Sequence, residues 1–272
     1  MHIKIKKIYL IILILHPVCF ASLHAENFEI YIRPGYDSNV TRSVDDPTGD
    51  GYLNGNISWN RQSDIEKTFD WTLRGVLDTT AYFKTAEQDY ISAMISPGLT
   101  YTYDERFQIN ISPMIEASAV KDTEQSEISL GAALYFSQQM TSMFYAGEYA
   151  SYVDSRAKDD IYSQDEISFG AYFGVNITEK LFTELGYEYS YGTSYQTSSI
   201  PAGKGKGKGK YSTVMKYDVY QENVNEHKLS LNAGLDLTDK VFSIAGYTFT
   251  YTDGDIGISR SNDISVGIGY RF

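Results

Sequence analysis

Catalysis in this chain would have to start from His227. Three of the four histidines, His2, His16 and His24, fall in the first 25 residues, and so does the single cysteine, Cys19. A histidine base works on a nearby nucleophile and is oriented by a third group. The flanking Asn225-Glu-His-Lys228 supplies no Ser-Asn-Gly type motif and reads as the edge of a long loop. A lone loop histidine of this kind is solvated surface. Metal chemistry fares no better, because clustered His or Cys ligands are absent from the sequence. Asp45-Asp46, Asp159-Asp160 and Asp253-Gly-Asp255 would attract divalent cations, but solvated acids are the simpler reading. The sequence thus points away from an enzyme and calls for no cofactor or metal.

The remaining charges follow another rule. Glu29, Arg33, Asp70, Arg74, Glu116, Glu148, Glu184 and Glu188 fall in segments that alternate with period two, mostly beside apolar or aromatic neighbours. Asp37, Asp78, Lys228, Asp236, Asp263 and Arg271 do the same. Alternation places such charges together on one face of a β-strand and the apolar residues on the other. If the apolar faces meet lipid, these residues line an interior, either as a salt-bridged plug or as a narrow aqueous pore whose acids favour cations.

The closing segment shows the alternation most plainly. Ile264, Val266, Ile268, Tyr270 and Phe272 fall on one side, with Ser265, Gly267, Gly269 and Arg271 between them. Tyr270 and the final Phe272 resemble the C-terminal signature of bacterial outer-membrane β-barrels. That resemblance implies recognition by a barrel-assembly machinery.

The opening residues read as a signal peptide. Lys4, Lys6 and Lys7 precede the apolar run 8–15, and Leu23-His-Ala25 offers a cleavage site before Glu26. Eight apolar residues cannot span a core that needs about 20. The expected division is therefore 1–25 signal peptide and 26–272 barrel. Loss of residues 1–25 lowers the net charge from −12 to −15, since it removes three lysines and no acids. So acidic a chain has no basic surface for nucleic acid.

Twelve alternating segments can be marked, giving an all-β, up-and-down antiparallel transmembrane barrel of about 12 strands. The expected turns at 61–67, 104–106, 137–141, 178–180 and 239–240 are short and fall on one side. Long connections at 37–51, 154–164, 192–227 and 253–262 fall on the other, as in outer-membrane barrels with short periplasmic turns. Pro97 and Pro113 interrupt the fourth and fifth strands and read as bulges or bends. The seventh segment is the least clean, because Phe144 competes with Met143 and Tyr145 for the apolar side. Aromatic residues form two expected girdles, one from Phe28 through Trp71 to Phe272, the other from Tyr52, Phe83, Tyr149, Tyr189, Tyr191 and Tyr251.

Pro34-Gly-Tyr-Asp-Ser-Asn-Val-Thr41 resembles the opening stretch of a broad group of proteobacterial outer-membrane β-barrels of the porin type. The resemblance implies an outer-membrane location and contact with outer-membrane lipid and lipopolysaccharide, and it leaves cargo open. Enzymes of comparable barrels, the outer-membrane phospholipase and the omptin proteases, need His-Ser or His-Asp pairs, which His227 does not offer. The functional expectation is a porin-like channel for passive passage of small polar or cationic solutes. The alternative is a non-conducting barrel whose extracellular loops bind a surface polymer or partner protein. For that second role the basic loop Lys204, Lys206, Lys208 and Lys210 is the candidate, set in the long extracellular loop 192–227.

Overall fold

Strands dominate because the alternating faces can be satisfied only by a sheet that closes on itself. The computed structural model describes residues 28–61, 68–104, 106–199, 208–212 and 217–272. The signal segment, the site before Glu26, Lys204 and Lys206 lie outside these residues. Thirteen strands follow in order: β1 (Phe28–Asp37), β2 (Asp50–Arg61), β3 (Phe69–Tyr82), β4 (Tyr90–Asp104), β5 (Phe107–Val120), β6 (Glu127–Gln139) and β7 (Phe144–Ala157). Then come β8 (Gln164–Asn176), β9 (Leu181–Ser198), β10 (Lys208–Ser212), β11 (Tyr217–Asp236), β12 (Val241–Asp253) and β13 (Ile258–Arg271). Each pairs antiparallel with the next from β1 to β9; β9 then pairs with β11, and β13 closes the ring onto β1. Twelve strands form the barrel. β10 takes the edge of β11 that β12, whose pairing with β11 stops at Asn225, leaves free.

The outward face is apolar. Ile32, Leu53, Trp71, Leu99, Ile111, Leu130, Leu231 and Val266 all stand exposed on it. Among the described residues no helix is long and apolar enough to cross a membrane; the crossing is made by strands, which leave no open edge to lipid.

The two prolines do not bulge. They lie opposite one another, and the β4–β5 ladder simply lacks its pairings between Ile95↔Ile115 and Leu99↔Ile111 while keeping register on both sides. Gathering both missing N–H groups at one junction limits the loss to a single gap. Ser96 fills part of it by donating its hydroxyl to the Pro113 carbonyl at 2.9 Å. The only register shift of this pair falls between Thr102 and Asp104.

Three short turns share one construction. In Met140–Phe144, Ile177–Leu181 and Leu237–Val241 the second residue is threonine, and its hydroxyl accepts the N–H groups two and three residues on. Replacing Thr141, Thr178 and Thr238 together by valine is expected to lower stability by about 3 kcal/mol, roughly 1 per turn, since the sites are far apart. The shift in the denaturant midpoint of the folded, heat-modifiable band measures it.

The stretch 192–227, expected as a loop, is largely strand among its described residues. β9 and β11 remain paired as far as Ser198↔Asp218, beyond the last pairing of β8 at Thr193 and of β12 at Asn225. The hairpin β10–β11 adds to this projection, where Tyr217 and Val219 alternate in the sequence as an extra-membrane hairpin would. Val219 packs with Ile161 and Tyr162 in a small apolar core at this end of the barrel, backed by Ala157, Tyr195 and Tyr217.

Candidate functional site

The interior is built by the residues that alternate with the apolar face, and its two halves differ. On the side of β9, β11, β12, β13 and β1 the charges are consumed by one another. Lys228 reaches Glu188 at 3.1 Å and Glu226 at 2.8 Å, and Glu226 also accepts from Arg42 at 3.1 Å and Thr252 at 2.9 Å. Arg271 joins Glu29 at 2.8 Å and Asp236 at 2.6 Å across the closing strands. Tyr145 donates to Glu184 at 3.3 Å, Tyr149 to Glu188, and Tyr52 to Asp263 at 2.8 Å. Arg33 stands among them with its Nε buried and unbonded, its guanidinium 5.7 Å from the Tyr31 ring centre. Asp70, near the turn end, lies 3.7 Å from Arg61.

Arg42 enters from the connection between β1 and β2. That segment folds inward: Asn39 donates its amide to Ser43 O at 2.8 Å and to Ser259 and Arg260 O at 3.1 Å. Ser43 bridges to Thr197 on β9. The Arg42 backbone sits at φ 55°, an uncommon cost for a non-glycine residue, and its guanidinium lies over the Tyr195 ring at 5.2 Å.

Asp45 pins the same segment to the end of β9. It accepts from the Ser199 N–H and from the hydroxyls of Ser198 and Ser199, each at 3.0 Å, and from Ser43 at 3.1 Å. Desolvation alone would raise its pKa, but these donors outweigh it and hold the carboxyl at about 2. A depressed carboxylate stabilises above its ordinary value and loses that effect as pH falls through the folded one. The segment 38–49 is therefore expected to loosen between about pH 4 and about pH 2. Amide hydrogen exchange across that range should show protection lost there first, and Asp45→Asn should abolish the pH dependence.

The other half is open. A cavity of about 670 Å³ runs along β2 to β8, with Arg74, Asp78, Met94, Glu116, Glu127 and Tyr195 in its wall. A second, of about 430 Å³, continues toward the turn end past Thr72, Gln108, Asn110, Ser112 and Tyr135. Both are lined by Arg74 and Met94, which stand where the two cavities adjoin. Asp78 is held by Asn54 and Asn56 at 3.0 Å and by Tyr90 at 2.9 Å. Arg74, Glu116 and Glu127 make no ion pair with any described residue. The result is a polar wall with one cation at its waist and acids above it.

Of the sequence candidates, Glu29, Arg33, Asp70, Arg74, Glu116, Glu184 and Glu188 point inward. Glu148 does not. It pairs with Phe136 on β6 and Ala171 on β8, both outward, and is itself exposed on the outer face. The cause is a set of rings lying on glycines. Tyr145 faces Gly174, Tyr172 faces Gly147 and Tyr149 faces Gly170. A Cβ at those glycines would meet the rings at 1.9 to 2.3 Å. The rings lie flat on the inner wall only because the glycines are there, and this fixes the parity of β7. Tyr52 lies the same way on Gly35, so Tyr52 and Tyr149 leave the expected girdle and belong to the interior. The signal was present in Tyr145-Ala-Gly-Glu-Tyr149 and Gly170-Ala-Tyr-Phe-Gly174, which are complementary when antiparallel.

His227 is no loop residue either. It lies in β11, paired with Tyr189 and Tyr251 on the outward face, and its Nδ1 is 2.8 Å from the Tyr187 hydroxyl. Lys210 lies on β10 and is tied to Asp159 at 2.5 Å and Glu124 at 3.2 Å. Lys208 begins the same strand. Phe272 makes an edge contact with Phe28 at 5.1 Å and with Tyr270 at 4.9 Å.

No known protein family matches the sequence, and no curated relative matches it. Solved structures do match in fold. The KdgM porin in complex with disordered oligogalacturonate is 9% identical with a TM-score of 0.53, over 90% of this chain and 99% of that one. The NanC porin is 10% identical with a TM-score of 0.54, over 89% and 100%. An outer-membrane channel from Pseudomonas putida F1 is 7% identical with a TM-score of 0.61, over 90% and 96%. The barrel is thus of the kind found in outer-membrane porins and channels.

Proposed function

We propose that this chain is an outer-membrane channel for passive passage of small polar solutes, with a preference for neutral and cationic ones. One observation carries the reading: two polar cavities that meet at Arg74 and Met94 along the β2–β6 wall. Around this path Asp78, Glu116 and Glu127 outnumber Arg74 and Arg61, and Arg61 is itself beside Asp70. Acids lining a low-dielectric passage raise the local concentration of cations and repel polyanions. An anionic oligosaccharide such as the one named with the KdgM porin would meet that repulsion here. The Glu188–Lys228–Glu226–Arg42 chain serves as a filler that narrows the barrel from one side. In this reading the short turns face the periplasm, residues 1–25 are removed on export, and Tyr270 and Phe272 present the barrel to its assembly machinery. Surface-polymer binding through the basic loop is the weaker reading, since Lys210 is already bound to Asp159 and Glu124.

Purified protein in planar bilayers should give discrete conductance steps in potassium chloride, with a reversal potential displaced toward that of potassium. No conductance at any salt or voltage would overturn the channel reading.

A further inference from the structure

An aliphatic band interrupts the polar wall of the larger interior cavity. Val40, Val76, Met94, Val120 and Val153 all line it. Four of them occupy inner-face positions of β3, β4, β5 and β7, and Val40 comes from the inward-folded segment after β1. Side chains of this kind left against water forgo the gain of burying them. Two carboxyl groups share the same space. Glu116 and Glu127 are diagonal neighbours on the β5–β6 ladder, with only the short Ser129 and Ser118 opposite them. Neither has an ion-pair partner among the described residues. Arg74 lies one inward pair further toward the turns, opposite Ser96, while Met94 stands beside Glu116.

Resting on the channel reading, we propose that this cavity holds an organic cation with an aliphatic body, its ammonium group at Glu116 and Glu127 and its carbon chain against Val76, Met94, Val120 and Val153. The two parts of the wall make different demands. An inorganic cation would satisfy the carboxylates and leave the aliphatic band in water. A neutral polar solute would leave two like charges uncompensated on neighbouring strands. An ammonium group on a short methylene chain meets both demands. It donates to the carboxylates, and every methylene removed from water adds to its hold. A volume of about 670 Å³ has room for such a chain and the water that carries it through.

Diaminopentane with both amines terminal, added to purified protein in planar bilayers, tests this. It should interrupt the potassium current in brief closures. Two analogues of the same length separate the contributions. Replacing the central methylene by an ether oxygen keeps both charges and should raise the half-blocking concentration about fivefold. The terminal pentanediol keeps the chain without the charges and should not block. Glu116→Gln with Glu127→Gln should raise the half-blocking concentration of the diamine about tenfold. Val120→Thr with Val153→Thr, which keeps both carboxyls, should bring the diamine and its ether analogue to within about twofold of each other. Heat-modifiable migration shows that each variant is folded. Calorimetric titration of the same protein with the diamine keeps the two readings apart. Binding with this ranking but no conductance would sustain the site and remove the channel; current without diamine binding or block would leave the channel and overturn the site. Equal block by the diamine and its ether analogue, or a block indifferent to the two glutamates, would overturn it as well.

Discussion

A barrel carrying Arg74→Glu is expected to discriminate potassium over chloride about fivefold more strongly than the parent. Arg74 lines both interior cavities and has no ion-pair partner among the described residues, so its charge acts on whatever passes. In a wet, salt-screened passage, reversing a unit charge some way from the ion's path shifts the energy difference between cation and anion by about 1 kcal/mol, several times less than in a dry interior. Some fivefold in permeability ratio follows. Arg74→Gln should move the ratio in the same direction by about half as much on a logarithmic scale. The reversal potential under a potassium chloride gradient reads it directly. Lys228→Gln is the control, because that ammonium is already held between Glu188 and Glu226. An Arg74→Glu channel with unchanged selectivity would place the conducting path elsewhere.

The double variant Gly170→Ala, Gly174→Ala should be the most damaging small change to the wall. Each added methyl falls where a tyrosine ring now lies, 2.2 Å from Tyr149 and 1.9 Å from Tyr145. The rings must lift into the interior or the strands must part. Overpacking of this kind costs about 1–3 kcal/mol per site, and these neighbours share the strain, so roughly 2–4 kcal/mol is expected in total. A lower temperature of heat modification and a smaller unitary conductance should appear together. Restoring space with Tyr145→Ala and Tyr149→Ala should recover the stability without recovering the Tyr145–Glu184 and Tyr149–Glu188 bonds.

Alternation in the sequence is enough to read strands such as β5 and β13, because each has aliphatic residues on one face and Gln, Asn, Ser or Gly on the other. It fails in β7 for a physical reason: tyrosine suits both a membrane girdle and a polar lumen. Only its glycine partner across the ladder tells which. The far end of β9 is unreadable as strand for a related reason. Beyond the membrane neither face must be apolar, and Tyr, Thr, Ser and Gln alternate with no contrast. Parity gives the side on which a charge lies but not its partner. That Arg271 joins Glu29 and Asp236 depends on β13 closing against β1 and β12, which no local pattern states. The open half of the lumen is likewise a property of which charges find partners. Glu116 and Glu184 look alike in sequence and differ only in that Tyr145 reaches one of them.

The three threonine turns bear on how a barrel of this kind changes size. Each turn satisfies its own backbone through its own side chain, so the hairpin it joins does not depend on adjacent turns for closure. A hairpin added or lost at such a place brings or removes two strands and one complete turn, and leaves the chain ends on their original side. Circumference therefore varies in steps of two strands with little local penalty, whereas a single-strand change would strand a terminus across the wall. For an engineer who wants a wider or narrower version, Ile177–Leu181 and Leu237–Val241 mark the joints at which whole hairpins can be exchanged.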